Sequence, residues 1–259
     1  MLPSYTSAFR YNANDLHLRK DRERLTMPIP PHLFPSTRDR TTLLDVQRAV
    51  AAHACVEDRF GEINTIAGVD QAFFDDKVIS GIVTLDYETM EEKDRVYAIE
   101  TVDFPYISTF LTFREGRSIV SAYRKLARKP ELLMIDGCGI NHPRFAGLAT
   151  HIGVALDTPT IGVAKNILCG TSRQPVDAGE VHPLIYNNEH IGWVLKSKEN
   201  CNPIIIAPGH RVSMESSIEI TRHCLRGYKL PEPTRQAHIY ANSVKRMHDR
   251  DKENHTRQR

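Results

Sequence analysis

Three carboxylates stand where an acid is costly unless something binds it. Asp70 closes the apolar run Ile66-Ala67-Gly68-Val69, and Asp136 closes Leu132-Leu133-Met134-Ile135 ahead of Gly137 and Gly139. Glu115 sits in Phe113-Arg114-Glu115-Gly116, just after the stiff turn Pro105-Tyr106-Ile107-Ser108. A lone charge at the end of an apolar strand carries a desolvation penalty unless it is paired or holds a cation. Hard oxygen donors of this kind suit Mg²⁺ or Mn²⁺. Two such ions can activate water and stabilise the leaving oxygen of a phosphodiester. Read singly, each acid is more simply a turn residue or a helix cap. Spacing alone does not bring the three together.

Other residues offer contacts for a phosphate or a base. Lys165 leaves the run Ile161-Gly162-Val163-Ala164, placed either to meet a phosphate or leaving group or to snorkel to solvent. Asn141-His142-Pro143-Arg144 reads as a helix opening, whose backbone N–H groups and Arg144 would hold an anion. The plainer alternative is a capping His142 beside a solvated Arg144. Cys138 and His142 lack the second ligand pair that a zinc site needs. His238 stands one residue past the apolar stripe of its helix, where a lone His is usually structural. Tyr106 is either an aromatic wedge of the kind that fills the gap left by an extruded base, or a ring packed on a sheet edge.

The elements that position these residues follow from periodicity. Pro28, Pro30, Pro31 and Pro35 mark residues 1–38 as a polar, Pro-rich extension without a fold of its own. A helix is expected from Thr42, with Asp45 as capping partner and Leu43, Val46, Val50 and Ala54 on one face. Strands at Thr65–Asp70, Val78–Asp86 and Arg95–Phe104 read as an antiparallel meander. There follow a helix over Gly116–Arg128, a buried strand at Leu132–Ile135, a helix opened by Pro143, and a strand at Thr160–Val163. Short strands are expected at Ile191–Lys196 and Ile204–Ala207. Ser213 caps a helix, and Pro233 opens a last one through Val244. Residues 246–259 form a charged, loose tail. The sum is one mixed α/β domain over residues 39–245, with helices on both faces of a single sheet and acids at strand ends.

Composition narrows the class. The chain has 259 residues, 41% hydrophobic and 25% charged, enough for one sizeable core. Its net charge of +2 argues against a histone-like binder and leaves room for a local basic groove. Five cysteines, with no C-x-x-C pair, suit a reducing compartment rather than a disulfide frame or a structural zinc. No apolar run approaches the ~20 residues of a membrane span. The N-terminus lacks the apolar segment of a secretory signal, and Asp15, Asp21 and Glu23 interrupt its basic residues. An intracellular protein of cytoplasm or nucleus, monomeric and off the membrane, is the expectation.

Taken in order, seven segments resemble the endonuclease V family. They are Ile66–Asp70, Pro105–Ser108, Phe113–Glu115, Asp136–Arg144, Ile161–Lys165, Gly209-His210-Arg211 and Pro231–His238. The resemblance spans roughly residues 42–245 and implies an RNase H-like fold. It implies a Mg²⁺-dependent endonuclease, with Mn²⁺ as a substitute, that acts on inosine-containing DNA or RNA. Cleavage would fall at the second phosphodiester bond 3′ to the lesion and leave a 3′-hydroxyl and a 5′-phosphate. Asp70 and Asp136 would hold the metal, with Glu115 and His238 completing the shell and Lys165 at the phosphate. Tyr106 would be the wedge, and His142 would serve the loop near the metal. Hypoxanthine would enter a pocket near Leu111, lined by the backbone of Gly137, Gly147 and Leu148. Two positions depart from the bacterial pattern: Cys138 replaces a His, and Ser108 replaces a Pro, as in animal-type members that prefer inosine in RNA. A different RNase H-fold nuclease and a non-catalytic inosine-binding protein are the competing readings.

Overall fold

A computed structural model describes the backbone of residues 33–257 and the side chains through residue 250. Among the described residues, eight strands form one sheet, in the order β3-β2-β1-β4-β5-β8-β7-β6. They are β1 (Thr65–Phe74), β2 (Lys77–Asp86), β3 (Glu92–Thr101), β4 (Leu132–Asp136), β5 (Thr160–Ala164), β6 (Val181–Tyr186), β7 (Glu189–Leu195) and β8 (Ile204–His210). The meander β1–β2–β3 is antiparallel, as its close spacing predicts, while β1, β4 and β5 run parallel at the centre. The helices are α1 (Arg40–His53), α2 (Leu111–Lys125), α3 (Leu148–Leu156), α4 (Met214–His223) and α5 (Glu232–Arg257). The expected mixed α/β, RNase H-like architecture is what the chain adopts.

Strand alternation assigns the faces. Ala67, Val69, Leu133 and Ile135 pack with Ile119 of α2 and Ile152 of α3. Ile66, Leu132 and Met134 pack with Ile218 and Ile220 of α4 and Tyr240 of α5 on the other side. The parallel pairing runs from Ile66↔Leu132 to Val69↔Ile135. One step further stand Asp70 and Asp136, 66 positions apart and side by side on the α5 face; Asp136 ends β4, whereas Asp70 lies inside β1, which continues to Phe74 rather than ending at Asp70 as expected. Gly68 lets that helix approach. A Cβ there would lie 1.8 Å from the carbonyl oxygen of Pro233, so any side chain would lift α5 off the sheet.

Several boundaries differ from the sequence reading. Helix α1 starts at Arg40, capped by Asp39, whose Oδ2 accepts from Thr42 N at 2.8 Å; Asp45 instead pairs with Arg48 on the surface. Helix α2 starts at Leu111, straight out of the 3₁₀ turn Ser108–Phe110, so Glu115 lies inside a helix rather than at a strand-to-loop junction. No helix opens at Pro143. Phe145 adopts φ +53°, which breaks the helical path, and α3 begins only at Leu148. Strand β6 was not expected, because Pro183 and its polar neighbours suit only a sheet edge. The tail is not loose: α5 continues to Arg257.

The expected N-terminal extension falls into two parts. Residues 1–32 lie outside the described residues, whereas residues 33–38 pack onto the domain. Leu33 is buried and its carbonyl accepts from His151 Nε2 at 2.8 Å; the Phe34 ring stacks on His151 with centroids 5.0 Å apart. Arg117 donates to the carbonyl of Phe34 and the hydroxyl of Ser36, both at 2.6 Å. Among the described residues no helix is long and apolar enough to cross a membrane.

Candidate active site

Asp70 and Glu115 are buried, and Asp136 is mostly so. Asp70 Oδ1 accepts from the N–H of Gln71 at 2.8 Å, and its Oδ2 lies 2.6 Å from Nδ1 of His238, brought in by α5. Lys165, just past the end of β5, donates to Asp136 Oδ2 at 2.5 Å. Burial, and then the charge of Asp136, push the Asp70 carboxyl up to about 6, against the pull of the Gln71 N–H, His238 and Lys165. Burial pushes Glu115 up to about 7; Arg114 opposes this, while the charges of Asp136 and Asp70 add to it. For Lys165, burial favours the neutral amine, but the charge and hydrogen bond of Asp136, with Asp70 behind, raise its pKa overall.

The donor set fits a hard divalent cation. The charge of Asp136 disfavours the ionised forms of both Asp70 and Glu115, and bound positive charge relieves both that repulsion and the cost of burial. Among the described residues no three His, Cys, Asp or Glu side chains already form a metal cage. Lys165 and His238 instead supply the partners of Asp136 and Asp70.

Beside the acids opens a cleft of about 310 Å³, near the lower end of the range for small-molecule sites. Tyr106, Leu111, Gly137, His142, Gly147 and Leu148 all line it, with Asp136 and Lys165 at its edge. Asp70, Glu115 and His238 are not in its wall. Tyr106 is 70% exposed, which excludes the alternative of a ring packed on the sheet edge. Gly147 is required by space: a Cβ there would lie 2.4 Å from the carbonyl oxygens of both Cys138 and Gly139.

Two expectations about backbone donors need correction. With no helix opening at Pro143, the N–H groups there are engaged locally. His142 donates to Ile140 O (2.7 Å), Phe145 to His142 O (2.8 Å) and Arg144 to His142 Nδ1 (3.2 Å). The Arg144 side chain does not line the cleft; it turns to Gln47 and the carbonyl of Thr109. The N–H groups of Gly137 and Gly147 donate to Val163 O and Gly139 O, each at 3.1 Å, so they are not free to read a base. At the start of α3, Gly147 has no side chain to cap it and Leu148 is its first residue, while the N–H of Ala149 already donates to Cys138 O at 2.9 Å. First-turn N–H groups lack helical partners and point toward any ligand set before them.

Sequence reasoning missed Gln47, Thr109, Thr112 and Asn166 in the cleft wall. Gln47 left a signal: it sits on the buried face of α1 between Leu43 and Val50, where an apolar residue is expected. The Gly209-His210-Arg211 segment is structural. His210 pairs with Thr160 at the start of β5, the end away from Lys165, where its Nδ1 accepts from Cys55 N at 3.2 Å. Arg211 donates there to Asp157 Oδ2 at 2.7 Å.

Comparisons with known proteins agree with this geometry. The family model described as endonuclease V matches residues 46–239. The endonuclease V of Dictyoglomus thermophilum is 41% identical over 200 residues, covering 77% of this chain and 88% of that protein. The crystal structure of the Streptomyces avermitilis endonuclease V superposes with a TM-score of 0.77 at 29% identity, over 83% of this chain and 96% of that one. The endonuclease V of Ciona intestinalis, solved with a 24mer DNA containing an inosine followed by a ribo-adenosine, shares the fold. Its TM-score is 0.70 at 21% identity, over 80% of this chain and 98% of that one.

Proposed function

The chain belongs to the endonuclease V family and is an endonuclease that hydrolyses phosphodiester bonds, and from that premise we propose that it nicks DNA or RNA strands 3′ to an inosine. The observation that carries the reading is the placement of Asp70, Asp136 and Glu115 beside a base-sized cleft with Tyr106 at its mouth. The Ciona intestinalis protein, crystallised with inosine-containing DNA, supports the same ligand class.

Asp70 and Asp136, with Glu115 close enough to feel their charges, would hold Mg²⁺, or Mn²⁺ in its place. When bound, that ion supplies Lewis-acid activation of water and neutralises charge on the phosphate. Lys165 sits where its ammonium can shift from Asp136 to an incoming phosphate and stabilise the leaving oxygen. His238 lies on Asp70 with a half-exposed ring, positioned to move a proton at the edge of the site. Tyr106 fills the gap in the stack while the purine enters the cleft. There the first N–H of α3, at Leu148 in the cleft wall, would meet the base edge that presents O6, and a close-fitting wall would reject a 2-amino group. Hypoxanthine differs from adenine and guanine in those two features. The cut falls at the second phosphodiester bond 3′ to the lesion, leaving a 3′-hydroxyl and a 5′-phosphate.

The test compares matched single-stranded RNA, single-stranded DNA and duplex DNA, each with one inosine or none, with and without Mg²⁺. Nicking confined to inosine strands and abolished by Asp136→Ala is expected. Equal cleavage of strands with and without inosine would defeat the specificity. Inosine binding without any cleavage would favour an idle binder.

A further inference from the structure

The carbonyl oxygen of Thr109 is where three side chains from outside its own segment meet. Gln47 Nε2 on α1 donates to it at 2.8 Å, His142 Nε2 at 3.1 Å and Arg144 Nη2 at 2.8 Å. Arg144 Nε also donates to Gln47 Oε1 at 2.5 Å, and its guanidinium lies 4.8 Å from the centre of the Phe110 ring. The N–H of Arg144 donates to His142 Nδ1, which therefore carries a lone pair and leaves the proton on Nε2, facing Thr109. Burial, followed by the charge of Arg144, lowers the His142 pKa to about 4, so this neutral tautomer persists at physiological pH.

The result is a closed ring linking α1, the Asn141–Phe145 loop and the turn that carries Tyr106. Thr109 stands three residues after Tyr106 and two before Leu111. Gln47, Thr109 and His142 all form part of the cleft wall. The peptide at Thr109 cannot turn without stripping partners from Gln47 and His142, both buried, where an unmade hydrogen bond is expensive. Gln47 is central because its amide uses both ends: the donor holds Thr109 and the acceptor holds Arg144.

We propose that Gln47 is a positioning residue for lesion recognition, fixing the Tyr106 turn at a set distance from Gly137 and Leu148 so that extrusion and capture of the base occur together. The inference rests on the base-extruding reading given above. It extends that reading to a residue whose hydrogen bonds go to Thr109 and Arg144 rather than to the acids.

Gln47→Glu tests it, because the shape and the acceptor facing Arg144 are kept while the donor to Thr109 is lost. Gln47→Met, of equal length, removes both. A 2-aminopurine placed beside the inosine in a duplex reports unstacking by fluorescence, and steady-state cleavage with Mg²⁺ separates KM from kcat. Wild type should brighten the probe. In both variants the brightening should fall, with KM rising about tenfold, the equivalent of one lost hydrogen bond. The kcat should change less than about threefold, and Mn²⁺ binding by calorimetry should be unchanged. If Gln47→Glu melts early, Arg144→Lys, which loses the two-armed contact, carries the same expectation. Normal brightening and KM in the variants, or a loss confined to kcat, overturns the proposal. A wild-type protein that neither brightens the probe nor prefers inosine would overturn the underlying function instead.

Discussion

Lys165 Nζ lies 2.5 Å from Oδ2 of Asp136, so on the proposed reading the ammonium and a bound cation compete for the charge of one carboxylate. On that reading a cation held by Asp136 weakens this contact and leaves Lys165 available to the phosphate. Lys165→Met separates these roles. Nicking should fall about 100-fold, the usual scale for losing one charge-stabilising group. Calorimetric Mn²⁺ affinity should hold or rise, since a competitor is gone. A variant that binds Mn²⁺ more weakly would show that Lys165 assists loading rather than opposing it.

The contact between His238 and Asp70 spans 2.6 Å, with the imidazole half exposed. Asp70 itself is buried, so leaving it without a partner would cost about 1–3 kcal/mol, whereas an Asn side chain keeps a donor for the carboxylate. His238→Asn should therefore melt near wild type. If His238 moves a proton during cleavage, kcat should fall by roughly 10²- to 10⁴-fold. Loss of folding in proportion to loss of activity would reduce His238 to a packing residue.

Gly68→Ala should damage the site from a distance. Its new methyl would collide with the Pro233 backbone rather than with the tip of a flexible side chain. Helix α5 must then shift, at a cost of about 1–3 kcal/mol. The same shift withdraws His238 from Asp70. Thermal melting should drop, and the residual folded protein should nick more slowly than wild type. Unchanged melting would mean that α5 docks independently of this contact.

How much of this was legible in the sequence depends on the kind of signal. Asp70 and Asp136 announced themselves as charges closing apolar runs, although β1 continues past Asp70, and only the β1–β4 register puts them side by side. Glu115 was found although its helix start was misplaced: the 3₁₀ turn that feeds α2 has no periodic signature. The Pro143 helix failed because Phe145 takes a left-handed backbone that nothing in its side chain advertises. Gln47 was passed over since a single polar residue on an apolar face gives no hint of its partner 62 positions away. Leu33 and Phe34 were assigned to the Pro-rich extension because their anchor, His151, is supplied by α3.

His151 gives the fold a pH dependence. It is fully buried, and burial lowers its pKa to about 4, only partly offset by the hydrogen bond to Leu33 O. An unfolded chain would titrate this group near 6.5. Between those values the unfolded state binds the extra proton, so stability is full above about 6.5 and is lost as pH falls toward 4. The contribution is on the order of a few kcal/mol. Chemical denaturation at stepped pH should show His151→Phe losing less stability than wild type across this window. Parallel curves would assign the acid sensitivity to other groups, such as His142 and His210, whose pKa values are also lowered to about 4.

Tyr106 is exposed at the mouth of the cleft, and Ile107 beside it is 43% exposed, an apolar pair that nothing in the fold requires to be there. A wedge matters most where a stack must be opened and held open. Single strands offer less stacking to replace, so Tyr106→Ala should cost more on duplex DNA than on single-stranded RNA or DNA carrying the same inosine. Base–aromatic stacking is worth about 1–3 kcal/mol, which corresponds to a loss of roughly 5- to 150-fold in kcat/KM on the duplex. Tyr106→Phe keeps the ring and should keep most of the activity, since the hydroxyl has no role in filling the gap. Equal losses on single and double strands would assign Tyr106 to general substrate binding, and a Phe variant as poor as the Ala variant would assign the role to its hydroxyl.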